Sequence, residues 1–356
     1  MHGERRRRCF LEDCLCHRSS EGRVLEDLLY GFHHAQHLLR RRTAAASLVV
    51  RTISSRSQLT PQKNDNKMAA SPSVFFVQNN YVERLTAPVA MYARARGIAL
   101  EDRSVTEVFD PDSCGIDWSQ YGAVLPYGSV QFVRRLKSSS IGRFILHDER
   151  AFATSTWAPM FGDRALNGSG ELVEAAVVRE RLGGGPMHLR PDQVDKAFVG
   201  GVFDVDAWEA VRADRRLADD LGCWISPISC IDAEWRCWFV GGRLVDLARY
   251  RENGQMAVAR ESASEVKEAA ERLASVYLPT PCVVLDIARA AGQYTVIEFN
   301  PIHCSGWYAA DVPKVLSAWL AWVENRSGAL SDTKAATRED TLARERPARR
   351  PAAARS

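Results

Sequence analysis

The sequence has no apolar run of the roughly 18 to 20 residues needed to cross a bilayer, and the longest candidates, such as "PCVVLDIA", meet an acid within eight residues. A transmembrane reading therefore fails. It also has no G-x-G-x-x-G and no G-x-x-x-x-G-K-[ST], so neither a Rossmann dehydrogenase nor a P-loop enzyme is supported. Cysteine is present in an odd number, nine, and three of the nine (Cys9, Cys14, Cys16) crowd the first sixteen residues, which is not a secreted disulfide framework. "CFLEDCLCH" sets thiols beside His17 but lacks the second paired half of a structural zinc site. The other cysteines stand singly in apolar stretches such as "RCWFV", where the ordinary role is a small buried hydrophobe. The compartment reads as reducing cytoplasm.

A basic surplus is absent where a duplex-binding face would need one. The first 67 residues carry 13 basic against 7 acidic side chains and residues 324–356 carry 8 against 5, leaving 26 against 32 between them. A net acidic centre argues against specific nucleic-acid binding, and the basic ends read as solvated tails. What is present is length for two ordinary domains: 356 residues, 46% hydrophobic and 26% charged.

Residues 1–67 are Arg-rich and weakly periodic, and read as a disordered or non-native extension. Seven acids, among them Glu12, Asp13, Glu26 and Asp27, speak against a transit peptide. Translation from Met68 is a further reading, since "MAASPSVFFVQNN" has a polar lead followed by a first strand. From Ser73 the pattern becomes regular: "VFFVQ" is a strand, "VERLTAPVAMYARARG" a helix closed by glycine, and "YGAVLPYGS" a strand entering a turn. This alternation predicts a parallel α/β layer over 72–150. "ELVEAAVVRERLGGG" reads as a helix and "PMHLRP" as a short strand. Asp206 with Glu209, and Ser262 with Glu265, have capping-box spacing. After Cys223 the chain is mostly strands, which predicts an antiparallel sheet backed by helices up to about 326. An Ala/Arg/Pro-rich tail over 327–356 is expected to be disordered.

Three constellations could carry chemistry. "AEWRCWFVGGRLVDLARYR" reads as a hairpin turning at Gly241-Gly242; simple pairing sets Glu234 opposite Arg249 and Arg236 opposite Leu247. Glu234, Arg236 and Arg249 then share one face, as a surface ion cluster or an anion site, while Trp235, Cys237, Phe239, Leu244, Ala248 and Tyr250 pack on the core. "PCVVLDIARAAGQYTVIEFNP" reads as a second hairpin. It brings Asp286 within a residue or so of Glu298 and sets Asn300 on the same face as Glu298. These are either strand-end polar groups meeting solvent or three hard oxygen donors suited to Mg²⁺. "RPDQVDKAFVGG" flanks a polar connection with Arg190 and Lys196, cations able to hold phosphate oxygens.

In that order and spacing, the motifs resemble the ATP-grasp superfamily, specifically its little-characterised bacterial and phage members. The likeness lies in "RPDQVDKAFVGG", "SPISCIDAEWRCWFVGGRLVDLARYR" and "VVLDIARAAGQYTVIEFNPIHCSGWYAADVPKVL", with "LPYGSVQFVRR" and "FGDRALN" upstream, and covers about 73–320. It implies an α/β (α+β) ATP-grasp fold: a pre-ATP-grasp layer over 72–150 and a nucleotide-binding domain over 151–326. It implies ATP and Mg²⁺ as cofactors. Asp286, Glu298 and Asn300 would hold the metal. Arg190, Lys196 and Glu234 fall on the nucleotide side, with Ser226, Pro227 and Ile228 against adenine. Arg236 and Arg249 would face phosphate or an acidic substrate as catalytic residues. Many relatives have lysine where this chain has Arg190, which keeps the charge with a different contact geometry. The implied activity is an ATP-dependent carboxylate–amine ligase acting through an acyl phosphate, with small-molecule acid and amine as partners. A small-molecule kinase and a non-catalytic nucleotide-binding protein are the alternatives. His303 and Cys304 are adjacent, so on an extended segment their side chains point apart and do not read as a covalent dyad.

Overall fold

The computed structural model describes residues 71–327, apart from 109–111, 113 and 195; the expectations for 1–67 and for the tail beyond 327 lie outside the described residues. The first layer is a three-stranded parallel sheet of β1 (Ser73–Gln78), β2 (Ala99–Arg103) and β3 (Ala123–Tyr127) in the order β2-β1-β3. The apolar run of the central strand is buried from Val74 to Gln78, as a parallel strand covered on both faces requires. Helix α1 (Glu83–Arg96) ends at Gly97, whose φ of 63° supplies the left-handed cap. Helix α2 (Val130–Lys137) starts at Ser129, whose hydroxyl accepts from Phe132 N–H at 3.2 Å.

Gly128, between β3 and α2, donates its N–H to the His303 carbonyl at 2.9 Å. A methyl group there would lie 2.7 Å from Gln78 Cβ and 2.8 Å from Phe132 Cδ1. Gly128→Ala is therefore expected to cost about 1–3 kcal/mol through overpacking, read as a lowered midpoint in chemical denaturation.

Two short helices, α3 (Glu149–Phe152) and α4 (Thr154–Phe161), lead into a four-stranded antiparallel sheet. Its strands are β4 (Glu171–Glu174), β5 (Met187–Pro191), β6 (Gly201–Phe203) and β7 (Gly222–Ser226), in the order β4-β7-β5-β6. Helices α5 (Ala175–Leu182) and α6 (Val205–Arg215) close its core around the fully buried Trp208. The stretch "ELVEAAVVRERLGGG" thus divides: Glu171–Glu174 is a strand, because β7 offers it a free edge from Gly222 to Ile225, and the helix begins only at Ala175. The cap of α6 is Asp204, accepting from Ala207 N–H at 2.8 Å, not Asp206.

The third sheet has the order β10-β9-β8-β11-β12, all antiparallel. It comprises β8 (Ala233–Val240), β9 (Arg243–Glu252), β10 (Gln255–Arg260), β11 (Val283–Ala290) and β12 (Gln293–Pro301). Three of its hairpins turn on two successive left-handed residues, Gly241-Gly242, Asn253-Gly254 and Ala291-Gly292, the geometry that matches strand twist. Helix α7 (Ser264–Ala274) covers one face with Val266, Ala270 and Leu273. Its approach is fixed by Glu261, whose Oε1 accepts from Ser262 and Ala263 N–H at 2.7 and 2.8 Å, in place of the expected Ser262 cap. The other face, with Trp238, Ala248 and Val284, joins the core of the parallel layer and of the final helix, α8 (312–327). All eight residues of β8 are buried because apolar layers lie on both sides of it.

Candidate functional site

The site forms where β5 of the four-stranded sheet meets the β8, β11 and β12 strands of the five-stranded sheet. Asp286 and Glu298 are direct partners on the β11–β12 ladder and Asn300 pairs with Val284, so period-two alternation puts all three side chains on one face. Asn300 Nδ2 donates to Glu298 Oε1 at 2.9 Å and to Asp286 Oδ2 at 3.3 Å. The expected convergence is thus present, and strand ends meeting solvent is excluded for Asp286 and Asn300, which are 1% and 6% exposed.

Two arginines close on these acids. Arg236 is bidentate, Nε to Asp286 Oδ1 at 2.8 Å and Nη2 to Oδ2 at 2.6 Å. Arg190 reaches from β5 to Glu298 Oε2 at 2.6 Å and to the Ile297 carbonyl at 2.9 Å. Burial opposes ionisation of Glu298, but Lys196, Arg190 and the Asn300 amide overcome it and hold its carboxyl well below the usual range. Burial likewise opposes the charge on Arg236, and the facing Asp286 carboxylate more than restores it. Lys196 is exposed on the connection after β5, with φ of 54°, and its charge reaches Glu298 and Asp286. The two carboxylates supply oxygen donors of the kind Mg²⁺ takes, while Asn300 presents its Nδ2 to both of them. Among the described residues there is no group of three or more His, Cys, Asp or Glu placed to hold a metal ion.

The β8–β9 register corrects one expectation. Irregularities between Trp238 and Phe239 and between Glu234 and Trp235 set Arg236 opposite Ala248, Trp235 opposite Arg249 and Glu234 opposite Arg251. A one-residue slip moves side chains to the other face. Arg249 therefore leaves the Arg236 face and pairs with Glu252 at 2.8 Å, while Ala248 and Tyr250 come to the Arg236 side. Glu234 is buried there, accepting from Tyr250 Oη at 2.6 Å, with Arg251 at 3.5 Å.

Ser226 ends β7 fully buried, its hydroxyl donating to Asn167 Oδ1 at 3.1 Å. Pro227 is exposed and Ile228 half-buried on the segment that leaves the ladder. Only the backbone and the last two side chains of this trio are thus free to face a ligand. His303 is fully buried: Nδ1 donates to the Pro126 carbonyl at 2.9 Å and Nε2 accepts from Leu146 N–H at 2.8 Å. Burial pushes the Cys304 thiol up to about 12, so the pair is not a nucleophile and its base. Residues missed by sequence reasoning are Tyr250 and Tyr308, whose rings stack at 4.8 Å beside Arg236, and Asn167. The pairing of Tyr250 depends on the two strand irregularities and that of Tyr308 on a loop conformation, neither of which has a local signature.

Residues 140–320 match the family of ATP-grasp domains described as R(2)K clade family 3. The fold is shared with D-alanine–D-alanine ligase from Bacillus anthracis at 14% identity and a TM-score of 0.50, over 74% of this chain and 100% of that one. The same enzyme complexed with ATP matches at 13% and 0.50, over 73% and 99%. D-cycloserine synthetase DcsG matches at 17% identity and 0.49, over 72% and 99%. No curated protein matches. No helix among the described residues is long and apolar enough to cross a membrane. With half of its length, residues 140–320, matched to that family, the chain belongs to the ATP-grasp domain family, in its R(2)K clade.

Proposed function

We propose that the chain is an ATP- and Mg²⁺-dependent carboxylate–amine ligase that works through an acyl phosphate. The observation that carries this is the meeting of Asp286, Glu298 and Asn300 on one strand face, with Arg190 from the neighbouring sheet and Arg236 from β8 against the two acids. A D-alanine–D-alanine ligase is among the proteins that share the fold.

In the proposed reaction a substrate carboxylate oxygen attacks the γ-phosphorus of ATP and ADP leaves. An amine then attacks the acyl carbon, inorganic phosphate leaves and the amine loses a proton. Catalysis of this kind is mostly positioning and charge stabilisation, so no side-chain nucleophile is needed, in accord with the raised Cys304 thiol. Bound at Asp286, Glu298 and Asn300, Mg²⁺ would neutralise charge on the phosphate oxygens. Arg190 and Lys196 supply cationic donors on the phosphate side, and residues 226–228 supply a surface for the base. The six cysteines among the described residues are all free, which suits a cytoplasmic enzyme.

Calorimetric titration with a non-hydrolysable ATP analogue and Mg²⁺ is expected to show binding that Glu298→Gln weakens by about 10- to 100-fold, the range for loss of a metal-site contact. A screen of amino acids and short peptides should then reveal acid- and amine-dependent ADP release with an amide product. Absence of nucleotide binding, or binding unchanged in Glu298→Gln, would overturn the reading. ADP release with a stable phosphorylated product and no amide would replace the ligase by a kinase.

A further inference from the structure

The loop beyond the proposed metal ligands carries an aromatic residue in a conformation that aromatic residues avoid. Tyr308 has φ of 45°, in the left-handed region where a bulky side chain persists only if its surroundings hold it. It is 42% exposed although Trp307 before it is buried. Its ring stacks on Tyr250 with centroids 4.8 Å apart and planes 15° apart. Tyr250 is in turn fixed by its hydroxyl, which donates to Glu234 at 2.6 Å. The guanidinium carbon of Arg236 lies 4.9 Å from the Tyr308 centroid and 5.9 Å from that of Tyr250, and two nitrogens of the same group hold both oxygens of Asp286.

We infer that Tyr250 and Tyr308 are positioning residues, an aromatic bracket that fixes the guanidinium plane of Arg236 and, through it, the orientation of the Asp286 carboxylate. Aromatic rings suit this task because they attract a guanidinium without accepting its N–H groups in the plane. The donors of Arg236 stay with Asp286, whereas a carboxylate or amide in place of Tyr308 would compete for them. Metal-site ligands elsewhere depend in this way on the groups that orient them. The inference rests on the reading of Asp286 as a metal ligand, and its test keeps the two apart.

Tyr308→Asn removes the ring while leaving a residue that tolerates the left-handed backbone; Tyr308→Phe keeps the ring. The probe is Mn²⁺, titrated in the presence of a non-hydrolysable ATP analogue and followed by electron paramagnetic resonance of the free ion. Tyr308→Asn is expected to weaken Mn²⁺ binding about tenfold, within the range for residues that orient metal ligands, with Tm within about 2 °C of wild type. Tyr308→Phe should match wild type. Tyr250→Phe, which releases Glu234 but keeps the stack, should show a smaller loss in the same direction. Asp286→Asn is the control. If it binds Mn²⁺ as wild type does, the metal reading falls and the bracket with it. If it loses the ion while Tyr308→Asn does not, the metal reading stands and the bracket is overturned. A fall in Tm for Tyr308→Asn with Mn²⁺ binding intact also overturns it, since that is a packing role alone.

Discussion

Asp286→Ala is expected to destabilise the protein by about 3–5 kcal/mol, because removing one partner of a buried ion pair leaves an uncompensated buried charge. For a structured part of this size that corresponds to roughly 10 °C in Tm. The charge left behind is that of Arg236, whose side chain is 9% exposed and whose remaining polar contact is Nη1 to the Gly306 carbonyl at 3.4 Å. The aromatic rings beside it soften the loss without supplying a counter-charge. Combining Asp286→Ala with Arg236→Met should recover most of the stability, since replacing a buried pair by apolar groups is often close to neutral, and the coupling is read from the double-mutant cycle. Thermal unfolding of the single and double variants checks this. A Tm for Asp286→Ala at the wild-type value would show that the pair is not buried as described.

That pair also shows how far the sequence could be read. The β11–β12 hairpin was legible to within a residue: its strand pattern and turn bring Asp286 within a residue or so of Glu298, and the irregularity between Asp286 and Ile287, on the turn side of the acids, makes the two direct partners. The β8–β9 hairpin was not, although its Gly241-Gly242 turn was. Two irregularities within ten residues reverse the faces twice, which no count from the turn can foresee. Arg249 and Tyr250 were thereby each assigned to the wrong face, although Tyr250 is buried as expected. The β9–β10 hairpin was passed over despite Asn253-Gly254, the strongest short turn signal. The parallel layer was clear because β1 and β3 are continuous apolar runs and the helix between them closes at Gly97, whereas β2, ALEDR and only partly buried, gave no such signal. Glu171–Glu174 read as helix because its pairing depends on β7, fifty residues away. The roles of Arg236 and Ser226 were visible only as residue types: the charge of one is spent on Asp286 and the hydroxyl of the other on Asn167.

Lowering the pH is expected to destabilise the protein through His303 before most carboxylates titrate. Its ring is fully buried, with Nδ1–H donated to Pro126 on β3 and Nε2 accepting from Leu146. It thus joins the end of β12 to the parallel layer in its neutral form. Burial pushes its pKa down to about 4, against about 6.5 in an unfolded chain. Between these values the unfolded state binds a proton that the folded state refuses, so stability rises with pH across this window. The contribution is fully present above pH 6.5 and is lost as pH falls toward 4, an amount of about 3 kcal/mol at 1.36 kcal/mol per pH unit. His147, which burial, aided by Arg134, also pushes down to about 4, adds to the same window. His303→Gln keeps a donor and an acceptor without a titrating group. It should be less stable at pH 7.5, because amide geometry cannot serve both Pro126 and Leu146 as well, and its stability should fall less steeply between pH 6.5 and 4.5. Urea unfolding of both proteins at these pH values gives the two slopes, and parallel pH profiles would show that His303 is not the buried neutral link between β12 and β3.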